Sequence, residues 1–187
     1  MGFAIAETCA QQGANVILIT GPVNLVPIHT NIKLIRIQTA QQMFEACKMH
    51  FPVCDCAILS AAVADFSPET AYTDKVKRTK ENLKINLKPT IDIAAELGSG
   101  KKDNQILVGF ALETENELEN AKVKLRKKNL DFIVLNSLRD DGAGFGTDTN
   151  KITILDKNNN IDKFELKSKS EVSADIVEKL IGMMRRI

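Results

Sequence analysis

Gln105-Ile106-Leu107-Val108-Gly109-Phe110-Ala111-Leu112 is a nearly unbroken apolar run, and Leu130-Asp131-Phe132-Ile133-Val134-Leu135 is a second. Runs without polar alternation fit strands covered on both faces. The segment between them is acidic early (Glu115, Glu117, Glu119) and basic late (Lys124, Arg126, Lys127, Lys128). That order complements a helix dipole, and Thr114 with Glu117 has the spacing of a capping box at its start. Strand, helix and strand in succession make the unit of a parallel sheet. This unit sets the class as α/β.

The rest of the chain extends the pattern. Met1 to Gln12 places Ile5, Ala6, Cys9 and Ala10 on one helical face, and Gly13 suits the position just past the helix. Asn15 to Thr20 reads as a strand ended by Gly21-Pro22, and Ile32 to Gln38 as a short strand of irregular alternation. Ala40 to His50 spaces Met43, Phe44 and Cys47 as a helix, and Cys54 to Leu59 is the next strand. Leu83, Ile85 and Leu87 alternate with Lys84, Asn86 and Lys88, which predicts a half-wet strand outside the central sheet, stopped by Pro89. Ile91 to Leu97 is a short helix ended by Gly98. Lys151 to Leu155 and Ile161 to Leu166 flank Asn158-Asn159-Asn160 as a hairpin added to the sheet. Ser168 and Glu171 cap a last helix whose Val172, Ile176, Leu180 and Met183 face the core. The expected architecture is a three-layer, Rossmann-like α/β domain over residues 1–187. Its sheet is mostly parallel, with an added strand and a C-terminal hairpin.

A chain of 187 residues can bury a sizeable core. Its net charge of +1 gives no global attraction to nucleic acid or a membrane surface, and lysines cluster only locally, at 75–80, 122–128 and 163–169. No signal peptide or bilayer-length apolar run is present. Cys9, Cys47, Cys54 and Cys56 contain no CxxC pair, and His29 and His50 lack ligand spacing, so the thiols read as buried and reduced in a cytoplasmic protein. Cys54 and Cys56 are expected on one face of their strand.

The chemistry concentrates at Ser60-Ala61-Ala62-Val63-Ala64-Asp65-Phe66, followed by Lys75-Val76-Lys77-Arg78. Small residues after an apolar strand allow close approach to the backbone. Asp65 then supplies a carboxylate at the strand's carboxyl end, where open α/β sheets bind ligands. Lys75 and Lys77 alternate, so an extended segment presents both on one side. A carboxylate for a cation and lysines for phosphates suit nucleotide chemistry. On the residues alone, the alternatives are a carboxylate capping a turn at Asp65 and a solvated charged loop at 75–78. Lys124 and Lys128 likewise share a helix face with Ala121, which by itself reads as a solvated face. Phe110, at the end of an apolar strand, by itself reads as core. Asp140 to Gly146 is glycine-rich but has no helix after it to meet a pyrophosphate, so it reads as a loop near the site rather than a dinucleotide fingerprint.

The strings AAVADF (61–66), KVKR (75–78) and GFALET (109–114) occur in the order found in the synthetase half of bacterial bifunctional coenzyme A biosynthesis proteins. The chain resembles that half, phosphopantothenate–cysteine ligase, along essentially its whole length. The resemblance implies CTP contacts at Ala61, Ala62, Asp65 and Phe66, with Asp65 acting through a bound Mg2+. It implies that Lys75, the first lysine of the family's KxKK motif, serves the triphosphate and catalysis. Arg78 stands at that motif's last lysine, and the two cations differ in geometry. Ile91, Asp92, Ile93 and Ala94 match a nucleotide-binding stretch in which Ile91 replaces proline. Phe110 is implied to border the cytidine, and Lys124 and Lys128 match A-x-x-K-L-x-x-K. Asn136 matches D-x-I-V-x-N.

The implied reaction joins 4′-phosphopantothenate to L-cysteine through an acyl-cytidylate. The implied assembly is a homodimer, with a flavin-dependent phosphopantothenoylcysteine decarboxylase fused or associated. The chain departs from the family at its start: Met1-Gly2 stands where a strand, a glycine-rich turn and an I-S-N-x-S-S-G-K-like segment would already have passed. Two rivals are an NAD(P)-binding oxidoreductase domain, against which stands the missing G-x-G-x-x-G, and an inactive nucleotide-binding or assembly module.

Overall fold

Ile106, Leu107, Val108, Phe132, Ile133, Val134, Ile154 and Leu155 are all essentially inaccessible to solvent, so the strands that carry them are covered on both faces. The computed structural model describes residues 1–70, 72, 74–78, 82–113, 116–137 and 148–185. Its elements in chain order are α1 (Gly2–Gln11), β1 (Val16–Thr20), β2 (Ile32–Arg36), α2 (Ala40–His50), β3 (Cys56–Leu59), β4 (Phe66–Pro68), β5 (Leu87–Pro89), α3 (Ile93–Ser99), β6 (Ile106–Glu113), α4 (Glu117–Lys127), β7 (Phe132–Ser137), β8 (Thr149–Asn150), β9 (Ile152–Asp156), β10 (Ile161–Lys163), β11 (Lys167–Ser168) and α5 (Lys169–Met184).

The central sheet runs β10-β9-β7-β6-β3. β3, β6 and β7 are parallel, whereas β9 and β10 are antiparallel additions. The hairpin expected at 151–166 is thus added directly to the edge of the main sheet, with its second strand ending at Lys163. β7 offers a free edge, and Phe132 to Asn136 pair with Asp156 to Ile152 along it. Helices α1 and α5 cover one face through Ile5, Val172, Ile176 and Leu180, which pack on Ile106, Val108, Phe132 and Val134. On the other face Met43 of α2, Leu97 of α3 and Leu125 of α4 pack on Leu107, Ala111, Ile133 and Leu135. The three-layer α/β expectation stands.

The sheet is nevertheless not continuous. β1 and β2 form their own parallel pair, and neither is hydrogen-bonded to β3. Side chains bridge the break: Ile19 of β1 shares a core with Ala57 and Leu59 of β3, and α1 packs on both β1 and β3 through Ala6, Ala10 and Ile5.

Other local expectations change. The strand predicted at 83–87 forms only at Leu87–Pro89, paired antiparallel with Phe66–Pro68. Leu83, Ile85 and Leu87 are 64%, 63% and 58% exposed, so no face of that alternation is buried. Pro89 is the last residue of that strand, as expected, and still pairs with Phe66, since an edge strand tolerates one missing donor. Helix α4 begins after Asn116, which is left-handed (φ 49°) and makes no side-chain cap; Thr114 of the predicted capping box lies outside the described residues. The Ser168–Glu171 capping box is present in both directions. Gly98 does not end α3: a Cβ there would lie 2.0 Å from the Lys128 carbonyl oxygen. Glycine is needed at this point because the ends of α3 and α4 meet. Cys54 leaves the strand and caps a short turn, its thiol donating to the His50 carbonyl, so it does not share a strand face with Cys56.

Candidate functional site

The carboxyl ends of β3, β6 and β7 lie at one edge of the sheet, as their parallel register requires. Ser60 to Asp65 leave β3 there, and Val63 N–H donates to the Ala61 carbonyl in a tight turn. Ala61, Ala62, Asp65 and Phe66 are exposed, as expected of a surface that a ligand reaches. Thr90 then ties the turn down. Its hydroxyl donates to the Ala64 carbonyl at 2.6 Å and its N–H to the Asp65 carbonyl at 2.9 Å. These two bonds, with the β4–β5 ribbon, hold Asp65–Phe66 beside Ile91–Ala94. Sequence reasoning missed Thr90 as a clamp, because a threonine before a helix looks like any turn residue.

Asp92 is the N-cap of α3, and Oδ1 accepts from Ala95 N–H at 3.1 Å. Its Oδ2 meets Lys128 Nζ at 3.0 Å, so two residues singled out independently are paired with each other. Because α3 and α4 end side by side at Gly98, the Lys128 side chain runs back along α3 to its cap. Partial burial raises the Asp92 carboxyl, but the Lys128 hydrogen bond, the Ala95 N–H and the charges of Lys128 and Lys127 outweigh it. The carboxyl lies below the ordinary carboxylate range. Lys124, one turn earlier on the same helix face, is half-buried. Ile93 is buried among Leu97 and Leu107, so only its backbone can face a ligand, whereas Ile91 is exposed and Ala94 half-buried.

Two further candidates stand on the opposite face. Phe110 packs with Val108 and Val134 on the α1/α5 side. Asn136 follows Phe132 and Val134 in strand alternation, which puts it on that same side. The candidates therefore divide around the sheet edge. Asp92, Lys124 and Lys128 hang from α3 and α4, and Phe110 and Asn136 belong to the face of α1 and α5. Asn150 is a polar neighbour with no signal in the sequence: it is buried, and its Nδ2 donates to Asn136 Oδ1 at 3.1 Å from fourteen residues away.

Lys75 to Arg78 are exposed, and among the described residues no contact ties Lys75 to the other candidates. The glycine-rich stretch 140–146 lies outside the described residues. Among the described residues no group of three or more His, Cys, Asp or Glu is placed to hold a metal ion. A lone exposed carboxylate such as Asp65 suits Mg2+ that arrives with phosphate oxygens, because that ion commonly takes one or two carboxylates and fills its shell with phosphate and water. No thiol nucleophile is poised: burial, then the neighbouring Cys9 and Asp55, push the Cys56 thiol up to about 12. Among the described residues no helix is long and apolar enough to cross a membrane.

Residues 1–183 match the family described as the DNA/pantothenate metabolism flavoprotein C-terminal domain. The chain is 57% identical over 184 residues to a cysteine/cysteine sulfinic acid decarboxylase of an unknown prokaryotic organism, covering 98% of this chain and 51% of that protein. It is 42% identical over 186 residues to the coenzyme A biosynthesis bifunctional protein CoaBC of Bacillus subtilis (strain 168), covering 100% of this chain and 46% of that one. The chain thus spans about half the length of the curated relatives it matches. The crystal structure of a CoaBC C-terminal domain superposes with a TM-score of 0.83 at 34% identity, covering 100% of this chain and 83% of that one. By sequence and by fold, the chain belongs to the DNA/pantothenate metabolism flavoprotein C-terminal domain family, which includes the ligase half of the CoaBC proteins.

Proposed function

We propose that this chain is a CTP-dependent phosphopantothenate–cysteine ligase domain of coenzyme A biosynthesis. The observation that carries the reading is the clamp of Asp65 by Thr90, followed by the Asp92–Lys128 pair, which gathers separate motif segments at one edge of the sheet. In the first step a carboxylate oxygen of 4′-phosphopantothenate bonds to the α-phosphorus of CTP, and the bond to pyrophosphate breaks. In the second the amine of L-cysteine attacks the acyl carbon, CMP leaves with the electron pair, and the ammonium loses a proton. Lys75, Lys124 and Lys128 neutralise the triphosphate, and charge neutralised in place lowers the barrier without reorganisation. Asp65 would hold Mg2+, which when bound would supply further neutralisation on the phosphate oxygens. Phe110 supplies an apolar wall for the base. Alignment of carboxylate and phosphorus supplies much of the rate. The proposal includes a cytoplasmic homodimer and a flavin-dependent decarboxylase on the same or an associated polypeptide.

Pyrophosphate release from CTP and 4′-phosphopantothenate tests the reaction, and thermal stabilisation by CTP above ATP and NADH tests the ligand. Stabilisation by NADH alone would favour an oxidoreductase domain. A second reading draws on the 57%-identical relative that bears a decarboxylase name, and on Ile91 and Arg78 in place of the family's proline and lysine. In it the domain binds nucleotide and supports assembly but does not ligate. CTP binding without pyrophosphate release, in a chain carrying the complete family amino-terminal segment, would select it.

A further inference from the structure

Asn150 is 3% exposed, in β8, and its side chain is fixed at both ends. The backbone N–H of Lys151 donates to Asn150 Oδ1 at 3.1 Å. A backbone N–H can only donate, so this bond decides which end of the Asn150 amide is oxygen. The other end, Nδ2, therefore points at Asn136 and must donate to Asn136 Oδ1, at 3.1 Å. The orientation of Asn136 follows: its oxygen is taken, and its NH2 turns away from β8. Among the described residues nothing pairs with that NH2, and no polar side-chain atom is both fully buried and unpartnered, so the NH2 is not sealed in the core.

We infer that Asn150 is a positioning residue that presents the Asn136 amide NH2 as a hydrogen-bond donor to an oxygen of the bound substrate. This rests on the ligase reading for the substrate's identity, but not for the amide's orientation. The recognised chemistry is an acceptor oxygen: a carboxylate, carbonyl, phosphate or cytosine oxygen. Asn136 lies on the Phe110 side of the sheet edge, away from the lysines of α4, so it addresses a different part of the ligand from the one the lysines neutralise. An unconstrained asparagine would present its oxygen as readily as its nitrogen. The buried partner removes that choice before the ligand arrives, and a group fixed in advance loses less entropy on binding.

The experiment has two arms. The first is ligand-free: side-chain amide and χ1 couplings of Asn136 are measured by NMR in the intact chain and in Asn150→Ala and Asn150→Asp. One Asn136 rotamer in the native chain, averaged in Asn150→Ala and altered in Asn150→Asp, supports the inference. An averaged Asn136 in the native chain overturns it. The second arm measures affinity for CTP with Mg2+ and for 4′-phosphopantothenate separately, in Asn136→Ala, Asn150→Ala and the double variant. Each single change should weaken the same one of the two ligands about tenfold, and the double variant should be no worse than Asn136→Ala. Additive losses, or losses that track melting temperature across all ligands, would give Asn150 a merely structural role and overturn the inference. If neither ligand binds the native chain, the ligase reading fails and the donor role for these substrates fails with it, while the first arm still decides the orientation of Asn136.

Discussion

Replacing Asp92 by Asn and by Ala separates two tasks that one carboxylate performs. Oδ1 caps α3 through Ala95 N–H and Oδ2 holds Lys128. Asparagine keeps the cap and loses the charge; alanine loses both. The ion pair has side chains 26% and 45% exposed, so solvent screens it and its contribution is about 0.3–1 kcal/mol. Losing an N-cap costs about 1 kcal/mol more. In urea unfolding at low salt, Asp92→Asn should therefore be less stable by a few tenths of a kcal/mol, and Asp92→Ala by about 1–2 kcal/mol. In 1 M salt the asparagine deficit should nearly vanish, whereas the difference between the two variants persists. The pH dependence has a definite sign. The Asp92 carboxyl is lowered in the fold, so its stabilisation is present above the unfolded carboxylate range, near pH 4, and is lost as pH falls through the folded value. Asp92→Asn should lack that part of the acid sensitivity. For the ligand the direction reverses, because Lys128 must exchange Asp92 for phosphate. Freeing it should leave CTP affinity unchanged or raise it a few-fold. A tenfold loss of CTP affinity in Asp92→Asn, with stability near native, would refute the view of Asp92 as a holder of Lys128 and make it a direct contact.

Lys75→Gln should weaken CTP binding about tenfold to a hundredfold, the value of one charge-assisted contact of roughly 1.5–3 kcal/mol, and leave the melting temperature unchanged; equal CTP affinity in calorimetry would return the 75–78 cluster to a solvated loop. Light scattering at micromolar concentration should give a dimer mass, since Phe66 and Leu87 of the β4–β5 ribbon, with Leu83 and Ile85 just before it, leave apolar side chains exposed; a monomer mass would oppose this. Asp131→Asn should cost about 3–5 kcal/mol, because it strips a buried carboxylate from Lys101 at 2.7 Å and Lys157 at 2.8 Å. Burial raises the Asp131 carboxyl, but Lys101, Lys157 and the Leu107 N–H lower it further, so its stabilisation is lost below about pH 4. An unchanged acid limb in Asp131→Asn would contradict that.

The sequence announced the elements whose burial is symmetrical and misled where it is not. β6 and β7 read correctly because every residue from Ile106 to Val108 and from Phe132 to Leu135 is apolar and buried. Leu83 to Leu87 alternates just as a strand should, yet it is wet on both sides within one chain, and periodicity carries no information about whether a covering surface exists. Gly98 looked like a terminator because an approach from Lys128, thirty residues on, leaves no local trace. Within the site, Asp65, Asp92 and Lys128 were legible as motif residues. Their linkage through Thr90, and the pairing of Asp92 with Lys128, are properties of packing between elements.

The break between β1 and β3 also bears on how the molecule opens. Backbone ladders couple β3, β6, β7, β9 and β10 into one unit, and every strand there is locked to a neighbour. Among the described residues, β1 and β2 are joined to that unit by side chains and by helices α1 and α2 rather than by a backbone ladder. Strands joined in one hydrogen-bonded ladder tend to exchange their amides together, so in this 187-residue chain the β1–β2 pair is expected to open separately from the five-stranded ladder. The amides of Ile17 to Ile19 should exchange with solvent well before those of Leu107 to Ala111. Mild denaturant should loosen β1 and β2 while the sheet edge that carries Asp92 and Lys128 is still folded.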